Sequence, residues 1–123
     1  MRAKDAIGRY GEDVAARHLT DAGLTILDRN WRCRAGELDI IALDSGVLVF
    51  CEVKTRSSTQ FGDPAEAVIG VKAARIRRLA MAWLAAQRES GHGEFWPEMR
   101  FDVVSVLRQR QGAAAVEHLR GAF

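Results

Sequence analysis

No stretch of the 123 residues is apolar over a length that could cross a bilayer. None near the start reads as a leader, because Asp5 interrupts the segment that opens with Met1-Arg2-Ala3-Lys4. Cysteine is scarce. Cys33 and Cys51 are the only two, one beside a loop-like stretch and one inside an apolar strand, which predicts free thiols of a reducing compartment. A zinc site is not expected, since no second cysteine stands at ligand spacing and His18, His92 and His118 are scattered singly. Internal repeats and low-complexity tracts are absent as well. These absences predict a soluble, cytoplasmic protein without membrane contact. What is there, 48% apolar and 28% charged residues, suits one compact domain over residues 1–123 with enough core to fold unstapled.

The most informative pattern is Glu37-Leu38-Asp39, then twelve residues, then Glu52-Val53-Lys54. Both segments read as β-strands, in which residues two apart share a face. Alternation then puts Glu37, Asp39, Ile41 and Leu43 on one side of the first strand, and Leu48, Phe50, Glu52 and Lys54 on one side of the second. A two-residue turn at Ser45-Gly46 pairs Asp44 with Val47. That register sets Ile41 opposite Phe50, Asp39 opposite Glu52 and Glu37 opposite Lys54. Cross-strand β-carbons lie roughly 4.5 to 5.5 Å apart, a spacing at which two ionised carboxylates repel unless a cation lies between them. Hard oxygen donors so placed suit Mg²⁺ or Mn²⁺. The competing reading is a solvated pair of charges at a strand end. It fits less well, because Val47, Val49, Cys51 and Val53 on one face and Leu48 and Phe50 on the other describe a strand buried on both sides. An unpaired charge there costs on the order of several kcal/mol.

The remaining elements follow from periodicity and caps. Apolar residues at helical spacing run from Asp5 to about Ala22, with Gly23 as the stop. Leu24-Thr25-Ile26-Leu27 begins a strand that leads into Arg29–Arg34. After the hairpin, the polar stretch Thr55–Gly62 is expected to be mobile and to order over a bound nucleic acid. Asp63-Pro64-Ala65-Glu66 reads as N-cap, first-turn proline and capping-box glutamate of a helix that Gly70 can interrupt before Lys72, Ile76, Leu79, Ala80 and Trp83 mark the apolar face of a longer helix ending near Arg88. Arg100–Leu107 is a further strand and Ala115–Leu119 a short last one. The order is α-β-β-β-α-β with an optional extra strand.

Net charge is only +2, yet Lys72, Arg75, Arg77, Arg78 and Arg88 fall between Ala67 and Arg88 with no acidic residue among them. By helical phase Lys72 points towards the sheet, from the helix end where anions are favoured. With Arg34 and Arg56 in the loops bordering the hairpin, Lys72, Arg75 and Arg78 are the candidate contacts to nucleic-acid phosphates. A solvated helix face accounts equally well for Arg77 and Arg88 taken alone.

Gly11-Glu12, Gly36-Glu37-Leu38-Asp39, Glu52-Val53-Lys54-Thr55-Arg56, Gly62-Asp63-Pro64 and Arg100-Phe101-Asp102-Val103-Val104 together resemble the YraN-like family of uncharacterised bacterial proteins. Each motif is short, but their order and spacing are specific, and the likeness covers nearly the whole chain. That family is similar in fold to the PD-(D/E)XK nucleases and closest in pattern to archaeal Holliday-junction resolvases. The resemblance implies an α/β, restriction-endonuclease-like domain with a mixed central sheet flanked by helices. It implies Asp39 and Glu52 as metal ligands, Lys54 as the catalytic lysine and Glu12 as a further active-site acid. Glu37 would orient Lys54 or reach the metal through water. Leu38 replaces the proline of the superfamily name. The activity so implied is Mg²⁺- or Mn²⁺-dependent hydrolysis of phosphodiester bonds in branched or flapped DNA, for which symmetric cutting of two strands favours a homodimer. The alternative from another class is a nucleic-acid-binding module that keeps the nuclease fold without turnover. A scaffold docking a protein on its acidic hairpin leaves the basic helix unexplained. Asp102 is read as structural.

Overall fold

A computed structural model describes residues 3–57, 70–92 and 94–123. Its elements are α1 (Ala3–Asp21), β1 (Thr25–Cys33), β2 (Gly36–Asp44), β3 (Val47–Arg56), α2 (Gly70–Glu89), β4 (Met99–Leu107) and β5 (Ala115–Leu119). The strands form one sheet in the order β1-β2-β3-β4-β5. All neighbours are antiparallel except β3 and β4, whose parallel pairing requires the crossover that α2 provides. This is the mixed α/β arrangement expected of a restriction-endonuclease-like domain. No helix among the described residues is long and apolar enough to cross a membrane.

The two sheet faces carry two cores. Leu48, Phe50 and Val103 pack with Ala73, Ile76, Leu79 and Trp83 of α2, while Ile40, Val49, Cys51, Val104 and Val106 pack with Ala15, Ala16 and Leu19 of α1. β3 therefore buries both faces, as its composition requires. Each helix ends on a left-handed glycine. After α1, Gly23 (φ +99°) lets Leu24 N–H reach the Leu19 carbonyl at 3.0 Å, and Leu24 packs in the same core as Leu19, a Schellman stop.

The hairpin turn is as expected, with Ser45 and Gly46 both at positive φ and Asp44 paired with Val47. β3 runs on through Thr55 and Arg56, which pair with Val106 and Leu107, so the start of the stretch expected to be a loop is sheet. A parallel partner supplies the hydrogen bonds that a polar sequence alone does not reveal. Ser57 follows as an exposed bend, and residues 58–62 of that stretch and the expected cap at Asp63–Glu66 lie outside the described residues. Cys33 and Cys51 are free thiols.

Candidate active site

The β2–β3 ladder pairs Asp44 with Val47 through Ile40 with Cys51. The expected register holds over that length. Past Ile40 the backbones no longer pair, and the Asp39 carboxylate accepts the Val53 N–H at 2.8 Å. Strict alternation also ends there. Leu38 packs with Ile41 in the α2-side core, yet Ile40 between them packs in the α1-side core, so the strand turns over at Asp39. On the neighbouring strand, Asn30 sits at φ +53° between Arg29, opposite Ile40, and Trp31, opposite Leu38. Asparagine is among the few non-glycine residues that adopt this backbone without large cost. The split between the strands is what admits side chains from both helix layers to one place.

That place is a cavity of about 410 Å³. Glu12 comes from α1, Glu37 and Asp39 from β2, Glu52 from β3, and Lys72 and Arg75 from α2, with Ile76 and Leu79 as an apolar floor. One carboxylate oxygen each from Glu12, Glu37 and Asp39 lie within 4.8 Å of one another. Glu52 Oε1 is 2.8 Å from the Lys72 ammonium. Glu37 pairs with Arg32 at 3.1 Å, not with Lys54 as the extended register would have it, because β1 continues alongside β2 after β3 has left it.

Crowding of carboxylates shows in their proton affinity. Burial first, and then the negative charge of Glu52, push Asp39 from 3.8 up to about 8 against the opposing hydrogen bond from Val53. Burial likewise raises Glu12, partly offset by a hydrogen bond from the Asn30 side chain and reinforced by Glu37. Asn30 is thus a positioning residue that periodicity could not reveal; its signal in the sequence was only an asparagine inside a strand. Gly11, part of the Gly11-Glu12 motif, contributes through a contact that the sequence does not show. A Cβ there would overlap the Thr55 side chain, so the missing side chain is what lets α1 lie against β3 and hand Glu12 to the site.

The other candidates are spread more widely. Lys54 is exposed, two residues beyond Glu52, and does not line the cavity. Arg78 is exposed on α2 outside the lining, Arg34 is exposed in the β1–β2 turn, and Arg56 is half-buried at the end of β3. A second cluster lies on the opposite side of β3, where Cys51, Asp102 and His118 approach within 4.8 Å. Its carboxylate is already occupied. Asp102 Oδ1 accepts from Arg100 Nε and Gly121 N–H at 2.9 Å each, and Oδ2 meets Arg100 at 2.9 Å and His118 Nε2 at 2.6 Å. Burial works to raise Asp102, but these hydrogen bonds outweigh it and hold the carboxyl below its ordinary value. Burial pushes the Cys51 thiol up. Asp102 thus ties β4 to β5 and to the segment after it.

A family model described as uncharacterised protein family UPF0102 matches residues 11–106, a span that contains every residue lining the cavity. Among similar proteins, the UPF0102 protein of Frankia alni is 63% identical over 123 residues, covering 100% of this chain and 98% of its own. That of Beutenbergia cavernae is 60% identical over 121 residues with 98% of both chains covered, and that of Streptomyces griseus 55% identical over 122 residues with 98% of both covered.

Proposed function

The chain belongs to the UPF0102 family, the YraN-like family its motifs resemble, and from its site we propose that it is a divalent-metal-dependent nuclease acting on branched or flapped DNA. The observation that carries this reading is the convergence of Glu12, Glu37, Asp39 and Glu52 beside Lys72 and Arg75 in one cavity. The donor set fits a hard cation. Carboxylate oxygens of Glu12, Glu37 and Asp39 lie within 4.8 Å of one another, Glu52 lines the same cavity, and the lining has neither histidine nor thiolate, which suits Mg²⁺ or Mn²⁺. Asp39 and Glu52 would hold the ion, with Glu12 and Glu37 at its border. Such an ion supplies Lewis acidity, polarising a phosphoryl oxygen and lowering the pKa of water.

The chain's own residues do the rest. Burial and the neighbouring Glu52 charge raise the Asp39 carboxyl and so favour its protonated form, which would make metal binding at this residue proton-linked. Lys72 and Arg75 at the rim, with Lys54 beyond Glu52, offer positive charge to the phosphate and to the charge that grows on it during hydrolysis. Ile76 and Leu79 supply the apolar part of the cavity lining. Selection of branched or flapped DNA rests on the likeness to junction resolvases, and the run of basic residues along α2 supports backbone binding. The exposure of Lys54 outside the cavity favours a second reading, a module that binds nucleic acid without cutting it.

One assay separates them. Wild type and Asp39→Asn are incubated with four-way junctions, flaps, linear duplexes and single strands in Mg²⁺ or Mn²⁺. Cleavage of the branched substrates by wild type, lost in the variant, is the expected result; binding without cleavage of any substrate selects the second reading.

A further inference from the structure

The cavity already contains a cation of its own. Lys72 reaches from the first turn of α2 to within 2.8 Å of Glu52 Oε1, and neither partner is freely solvated: the Glu52 side chain is 15% exposed and that of Lys72 34%. Glu52 is the carboxylate of the cluster that faces this ammonium, while Glu12, Glu37 and Asp39 converge on one another. A divalent ion that takes Glu52 through Oε1, the oxygen that faces the ammonium, displaces Lys72 from it. The displaced ammonium stays tethered at the rim of the same cavity, next to Arg75, with its half-buried counter-charge gone. Leaving it there unpaired is costly, and an anion removes the cost.

We propose that the Lys72–Glu52 ion pair is a latch that couples metal to substrate: the metal releases Lys72 from Glu52, and the phosphate of the nucleic acid receives it. Each ligand then strengthens the other by the same factor, as linkage requires. The latch keeps the site poorly charged with metal until nucleic acid is present, which limits unproductive loading. It rests on the nuclease reading of the site and adds to it how that site is regulated.

The test compares wild type, Lys72→Met and Arg75→Met, the last removing an equal charge from the same cavity without breaking the Glu52 pair. Mn²⁺ affinity is measured by calorimetry without DNA, and affinity for a fluorescent four-way junction by anisotropy with and without Mn²⁺, read before cleavage. Lys72→Met is expected to bind Mn²⁺ about three- to tenfold more tightly than wild type, the range of a partly buried ion pair that no longer competes. Mn²⁺ should raise junction affinity in wild type and in Arg75→Met, and that increase should vanish in Lys72→Met. Lys72→Gln serves as the second variant if the methionine does not fold. Mn²⁺ binding that weakens or stays unchanged on loss of Lys72 overturns the latch, as does equal tightening in Arg75→Met, which would mean a general field effect. Absence of Mn²⁺ binding in wild type and variants alike overturns the nuclease reading and the latch with it.

Discussion

Asp39 bears several duties at once. It accepts the Val53 N–H where the ladder stops, it crowds Glu52, and it sits at the turn-over of β2. Its folded-state carboxyl titrates at about 8 against an ordinary 3.8, so the folded protein holds a proton that the unfolded chain has released over that interval. Stability from this group is complete below the ordinary value, falls as pH rises through the interval, and is fully lost above about 8. Asp39→Asn keeps the acceptor oxygen and removes the titration. Without metal it is expected to be more stable than wild type by at least about 1 kcal/mol at alkaline pH, with the advantage disappearing in acid. Denaturant titrations across the pH range check this. The same proton must leave when a cation binds, so Mn²⁺ titration of wild type near neutrality should release about one proton. Calorimetry in buffers of different ionisation enthalpy reads it, and a buffer-independent heat would contradict it.

Among the elements, α1 and α2 differ in how they serve the site. α1 is placed by a close approach. Gly11→Ala puts a methyl group into Thr55, which should cost about 1–3 kcal/mol and move Glu12 away from Asp39. Chemical denaturation measures the first effect and weakened Mn²⁺ binding the second; Thr55→Ala in the same chain should restore part of both. α2 is placed by its apolar stripe of Ala73, Ile76, Leu79, Ala80 and Trp83, which leaves Arg75 exposed at the cavity rim and Arg78 facing outward. Reversing both to Glu should weaken junction binding and flatten its dependence on salt, since every phosphate that is no longer neutralised keeps roughly one counterion that binding would have released. An unchanged salt slope would show that DNA does not lie along α2.

Across the whole molecule, the Asp102 network ties distant parts of the chain together. Arg100 bridges Asp102 to Asp44 at the β2–β3 hairpin, His118 brings in β5, and Gly121 N–H anchors the segment after it, where Phe123 packs on Phe101. The Asp102 side chain is 0% exposed, so Asp102→Ala leaves Arg100 and His118 without their buried partner and should cost about 3 kcal/mol or more. Because its carboxyl is held below the ordinary 3.8, the stability it contributes is present above that value and is lost as pH falls through the lowered one. Wild type should therefore show an acid transition that Asp102→Ala lacks or shows much weaker. Thermal melts at stepped acid pH test it.

Two facts of local chemistry made much of this legible from the residues alone. A strand apolar on both faces must be central, which located β3, and a two-residue Ser45-Gly46 turn admits few geometries, which set the register from Ile40 to Asp44. The acidic ends of those strands, the basic helix and the glycine stops followed from the same short-range rules. The sequence by itself therefore determined the order of elements and most of the residues that meet in the cavity. Only the tertiary structure decided where β2 and β3 part, that Glu37 turns to Arg32, that Lys72 and not Lys54 stands against Glu52, and that Asn30 and Gly11 deliver Glu12. Those outcomes depend on how two helices and three strands press together around Asp39. No periodicity within one segment encodes the distance between side chains that belong to different segments.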